Sequence, residues 1–165
     1  MQVTNIPKNK NRLIKAIRGL FEHRALWLYF LVDEAKKKGL DPKDYAGEAI
    51  KRCGLFQGKA HAINGPGTSL KELKKRLFAG VGQMIFEMKF LRCTDDNFDI
   101  DFHYCPLVAA WQKQGVEGQY LVDLCDFAMC GDRGMAECFG CELDLPKTIA
   151  KGDGICELRF RRKGR

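Results

Sequence analysis

At Phe86 the hydrophobic pattern of this 165-residue chain changes period, and that change limits what it can fold into. Up to that point apolar residues recur at spacings of three, four and seven, the signature of helices with one buried face. Leu13, Ile17, Leu20, Phe21, Leu28, Leu31 and Ala35 predict one long helix over residues 13–38, closed by Gly39. Asp41-Pro42 opens a second helix running to Arg52, with Asp at the cap and Pro at the first helical position. Residues 58–68, with three glycines and a proline, predict a loop. Ser69-x-x-Glu72 is a capping box for a third helix with Leu70, Leu73, Leu77, Val81 and Met84 on one face. From Phe86 onward apolar and polar residues alternate. Phe98, Ile100, Phe102 and Tyr104 interleave with Asp99, Asp101 and His103, which predicts the second strand of a hairpin turning at residues 94–97.

Two further helices, over residues 106–114 and 119–130, lead to a final strand pair at about 141–150 and 155–162. That pair turns at Lys151-Gly152-Asp153-Gly154 and carries Cys156, Leu158 and Phe160 on one face. The expectation is a single α+β domain over residues 1–165, with N-terminal helices followed by an antiparallel sheet of two hairpins and helices between them.

Charge divides the chain. Residues 1–82 carry a balance of +10 and residues 83–165 one of −3, so the positive excess lies in the helical half; the basic residues sit mainly on predicted solvated helix faces and in the C-terminal tail. No nucleic-acid motif accompanies it, and nucleic acid is a disfavoured partner. The longest uncharged apolar run, residues 25–32, is far short of the roughly 20 residues needed to span a bilayer. No signal peptide follows Met1, and a membrane partner is not expected. These features predict a cytoplasmic protein, where thiols stay reduced and eight cysteines serve chemistry, ligation or burial.

Six of those cysteines fall between His103 and Cys156. Cys105 ends a strand and precedes Pro106, which places it at a helix cap where free N–H groups and the dipole favour a thiolate. His103, two residues back, leans to the same side of a strand, and the pair suits nucleophilic attack on an electrophilic carbon. Cys105 as a small buried hydrophobe and His103 as a surface residue are the competing reading. Asp126, at the edge of the apolar face of Leu121, Leu124, Cys125, Ala128 and Met129, suits orienting an imidazole or acting as general base. Gly131-Asp132-Arg133-Gly134 predicts a turn ending that helix, from which Arg133 either clamps a carboxylate or lies exposed. Cys138-x-x-Cys141 has the spacing of half a zinc site. With Cys125 and Cys130 it would supply four thiolates for zinc or an iron–sulfur cluster, although the Cys125–Cys130 spacing is not the usual one.

The ordered set Phe21-Glu22-His23-Arg24-Ala25-Leu26-Trp27, Cys105-Pro106-Leu107-Val108 with Trp111, Cys125-Asp126, and Thr148 through Phe160 resembles the L-2-amino-thiazoline-4-carboxylic acid hydrolase family. The ending Gly152-Asp153-Gly154-Ile155-Cys156 is also similar to that of 4-vinyl-reductase-type small-molecule-binding domains. Cys130, Cys138 and Cys141 have no place in the family pattern. The resemblance implies a hydrolase whose reaction adds water at the ring carbon between sulfur and nitrogen, giving an N-carbamoyl-cysteine.

The residues suit that chemistry. Cys105 would attack, Asp126 or His103 would move the proton, and Arg24 or Arg133 would hold the substrate carboxylate, with Trp111 and Cys156 lining the site. The leading expectation is a hydrolase acting on a C–N bond of a small cyclic amidine or amide, requiring no cofactor. The alternative is a non-catalytic module that binds a small molecule, or zinc or iron–sulfur through Cys138 and Cys141. A homo-oligomer is compatible with either.

Overall fold

The computed structural model describes residues 3–162. Helix α1 spans Arg12–Lys37 and is capped by Asn11, whose side chain accepts the N–H groups of Leu13 (2.9 Å) and Ile14 (3.3 Å). After a 3-10 turn at Pro42–Asp44, α2 covers Ala46–His61. Short helices α3, Leu70–Leu77, and α4, Gly82–Ile85, lead into the strands β1, Met88–Cys93, and β2, Asn97–Phe102. Then come α5, Pro106–Lys113, and α6, Gly118–Cys138, followed by β3, Cys141–Asp144, and β4, Cys156–Arg162. The sheet is antiparallel in the order β1-β2-β4-β3, so two antiparallel pairs meet along β2 and β4. The first strand of the second pair, expected to reach residue 150, ends at Asp144, and a 3-10 turn at Ile149–Lys151 lies in its connection to β4.

The period-two pattern sorts the faces of this sheet. Phe98 pairs with Phe160 across β2 and β4, their rings stack with centroids 5.5 Å apart, and Phe78 meets both edge-on. Such ring pairs add about 0.5–1.5 kcal/mol beyond their area. On the other face Arg159 pairs with Asp101 (2.9 Å) and Glu157 (3.1 Å), and Arg161 pairs with Asp99.

Two helices run past their expected ends, for one shared reason. The second helix was expected to stop at Arg52, before a loop beginning at residue 58, yet α2 continues through Gly54 and Gly58 to His61. Gly131-Asp132-Arg133-Gly134, expected as a turn, lies inside α6. A Cβ on Gly54 would sit 1.9 Å from the Gly131 carbonyl oxygen, and one on Gly134 would sit 2.6 Å from that of Lys51. The glycines therefore let two backbones touch. Helix propensity, a local quantity, is overridden by that packing.

The third helix also departs from expectation. It ends at Leu77, and Val81 and Met84 lie exposed beyond it. In α1 the buried line is Ile14, Arg18, Ala25 and Val32, while Leu13, Leu20 and Leu31 face outward.

One buried charge ties α1 to the start of the sheet. Arg18 donates to the carbonyls of Ile85 (2.9 Å), Met84 (3.0 Å) and Asn9 (2.7 Å), pairs with Glu87 (3.0 Å) and lies over the Tyr104 ring. Glu87, held at φ 52°, also accepts the Asn9 N–H (2.7 Å).

Gly54→Ala is expected to destabilise the protein by about 1–3 kcal/mol through overpacking. That should lower the thermal midpoint by about 2–12 °C. Gly82→Ala, where a Cβ meets nothing within 4 Å, should stay within about 0.5 kcal/mol of wild type. Calorimetry of the two variants checks the contrast.

Candidate functional site

Cys105 stands in extended conformation at the N-cap of α5, with Pro106 in the first turn, as expected. Its backbone is gripped on both sides by one distant side chain: Asn5 Nδ2 donates to the Cys105 carbonyl (2.8 Å), and Asn5 Oδ1 accepts the Cys105 N–H (3.0 Å). Gln112 holds the same N-terminal segment by donating to the Val3 carbonyl (2.8 Å). The residue as a whole is half-buried, and burial of its thiol pushes it up to about 11. The backbone N–H groups of Leu107 and Val108 pull it the other way without closing a full capping hydrogen bond.

Three helices converge on this thiol. Asp132 of α6 opposes the thiolate, whereas Arg24 of α1 favours it. Burial also lifts the Asp132 carboxyl to about 6, and Arg24 partly offsets the rise. Cys125 of α6 and Cys156 of β4 complete the surroundings. Burial drives Cys156 up to about 12 and Cys125 well above the ordinary thiol range, and each senses Cys105. Cys156 Sγ accepts the Ile149 N–H (3.3 Å), so it is already engaged. The site thus holds a neutral thiol, a carboxyl that ionises near neutrality and a guanidinium. That set can move a proton and bind a molecule carrying charges of both signs.

Each piece that decides membership is now placed: the α1 segment with Arg24, the Cys105-Pro106 helix start, Cys125 and the closing strand with Cys156. The family model of the L-2-amino-thiazoline-4-carboxylic acid hydrolases matches residues 18–160. The chain belongs to this family. Comparison with curated proteins finds no match. A solved structure, the trafficking protein particle complex subunit 3 from Naegleria fowleri covalently bound to palmitic acid, is similar with a TM-score of 0.55 and 18% sequence identity. The likeness covers 87% of this chain and 95% of that one, and at this identity it is one of fold.

Of the residues expected at the site, the structure brings Cys105, Arg24 and Cys156 together. Trp111 is buried, and its indole N–H donates to the Ala25 carbonyl (2.9 Å), which locks α5 against α1. Asp126 is exposed and pairs with Arg133 (2.9 Å), one helical repeat of seven residues away. Arg133 lines an open groove of about 520 Å³ with Lys51, Glu137 and β3, and its charge also acts on Asp132 and Cys125. His103 lies just past β2, and the hydrogen bonds at the Cys105 backbone come from Asn5 and not from His103.

The expected metal ligands take other partners. The Cys138 thiol donates to the Leu55 carbonyl (3.5 Å) and the Cys141 thiol to that of Ala136 (3.3 Å). Among the described residues no group of three or more His, Cys, Asp or Glu stands close enough to hold a metal ion. None of the cysteines forms a disulfide. No helix among the described residues is long and apolar enough to cross a membrane.

Asp132 and Asn5 went unrecognised in the sequence. A signal for Asp132 existed: it lies seven residues after Cys125, two turns along the face already assigned to the interior. It was hidden by reading the flanking glycines as a turn. Asn5 has no local signal at all.

Asp132 also links the site to stability. Its folded-state pKa of about 6 lies above the ordinary 3.8, so the folded protein binds this proton more tightly than the unfolded chain does. Stability from this group is fully present below pH 4 and is lost as the pH rises to 6. Asp132→Asn is therefore expected to stabilise the protein by roughly 1 kcal/mol at pH 8, discounted for partial exposure, with no gain at pH 4. Thermal midpoints of both proteins across this range check the sign.

Proposed function

We propose that this protein is a hydrolase that opens a small cyclic amidine such as L-2-amino-thiazoline-4-carboxylate by covalent catalysis at Cys105. What supports this reading is a helix-cap thiol, Cys105, on which the charges of Asp132 and Arg24 both act. The substrate offers a protonatable amidine and a carboxylate. Asp132 complements the first and Arg24 the second, which aims the ring carbon between sulfur and nitrogen at Cys105 Sγ.

The reaction balances with one water. As Sγ attacks, Asp132 takes the thiol proton and the ring C=N electron pair moves to nitrogen. Collapse breaks the ring carbon–sulfur bond, and the departing sulfur takes the proton from Asp132. The carbon is then held between two nitrogens and Cys105. Water adds to it, giving its proton to Asp132, and Cys105 leaves as thiolate to be reprotonated. The product is N-carbamoyl-cysteine, so on this substrate the bond broken is carbon–sulfur. Cleavage of a C–N bond applies to a cyclic amide in the same place. The Leu107 and Val108 N–H groups favour the thiolate at the moment it is expelled.

With L-2-amino-thiazoline-4-carboxylate as substrate, Cys105→Ala is expected to lose turnover by at least about 100-fold with an unchanged circular dichroism spectrum. Asp132→Asn should lower kcat by about 100-fold. Arg24→Ala should raise KM by about 10-fold, the worth of one exposed carboxylate contact. Asp126→Ala should stay within about two-fold of wild type. Turnover near wild type in Cys105→Ala would overturn the covalent route.

A further inference from the structure

The outward face of α1 carries a pattern that the fold of a single chain does not use. Leu13, Ala16, Leu20, His23, Trp27 and Phe30 follow one another at alternating steps of three and four, and all six are exposed. Leu20 is 70% and Trp27 62% accessible. The buried line of the same helix is Ile14, Arg18, Ala25 and Val32, so the outward stripe is a second seam and not the edge of the core. A 3.5-residue repeat is the spacing that two packed helices require. Over six positions it runs for about 26 Å at 1.5 Å per residue.

We propose that this seam is covered by α1 of a second copy of the chain, packed antiparallel about a two-fold axis near residues 21 and 22. In that register Leu13 meets Phe30 of the second copy, Leu20 meets its His23, and Ala16 meets its Trp27. The smallest residue of the seam faces the largest, and each contact occurs twice, as a closed two-fold interface demands. Trp27 is already posed for the role: its Nε1 donates to His23 Nε2 (2.9 Å), with the two rings edge to face. Charge agrees with the direction. The antiparallel register sets Arg12 on the same flank of the seam as Asp33 of the second copy, a carboxylate that pairs with Lys37 (2.8 Å) in the single chain.

Sedimentation of the full chain at about 50 µM tests the proposal, with the expected result a mass of two chains. Ala16→Trp should weaken association at least about 30-fold, the effect of losing one strong interface contact, and Trp27→Ala should weaken it too. Both variants should keep the wild-type circular dichroism, because the altered side chains are exposed. The double variant Ala16→Trp/Trp27→Ala exchanges large for small and should restore the dimer. A monomeric wild type overturns the proposal, as do single variants that remain fully dimeric. Loss of the dimer in both single variants without recovery in the double overturns the antiparallel register. A monomeric wild type that co-floats with phosphatidylserine vesicles assigns the seam to a lipid surface instead.

Discussion

Backbone contact between α2 and α6 governs the arrangement of this protein. With Gly54 against Gly131 and Gly134 against Lys51, the helices approach until no side chain fits between them. That closeness keeps α6 helical through four residues which, taken alone, favour a turn. It also fixes the rotation of α6. Once Gly131 and Gly134 face α2, Asp132 must project from another side of the cylinder, and it is the side that Cys125 has already turned inward. The glycines thus aim the carboxylate without touching it.

A second layer of constraint acts on Cys105. Arg18 joins α1, the segment before it and the approach to β1 through hydrogen bonds to three carbonyls and a carboxylate. Because every nitrogen of the guanidinium has a partner, its burial is compensated; removing either partner would strand the other. Trp111 fastens α5 to α1 from the opposite end. Between these two anchors the start of α5, and therefore the thiol, has little freedom. The price of holding Asp132 near that thiol is a carboxyl that resists ionisation, a usual trade between site and stability.

Much of this was legible in local pattern. The change of period at Phe86 separated helices from strands, the alternation in residues 98–104 and 156–160 sorted the two sheet faces, and Cys105-Pro106 marked a helix start. These features depend on neighbours in sequence, so sequence reveals them. The lengths of α2 and α6 depend on each other, and glycine reads as a break until its partner helix is known. The long helix was recognisable too, but apolar residues on two faces made its buried side ambiguous: Leu13, Leu20 and Leu31 looked like core and are surface. Asp126 and Arg133, expected at the site, pair with each other at one helical repeat.

The grip of Asn5 on Cys105 spans 100 residues of sequence. A contact of that separation forms only after the loop between its ends has closed, an entropic toll met late in folding. Strands and helices can therefore be in place while the cap of α5 is still loose. The orientation of the thiol is thus held by residues far apart in the chain, and loss of one asparagine side chain would release it while leaving α5 itself intact.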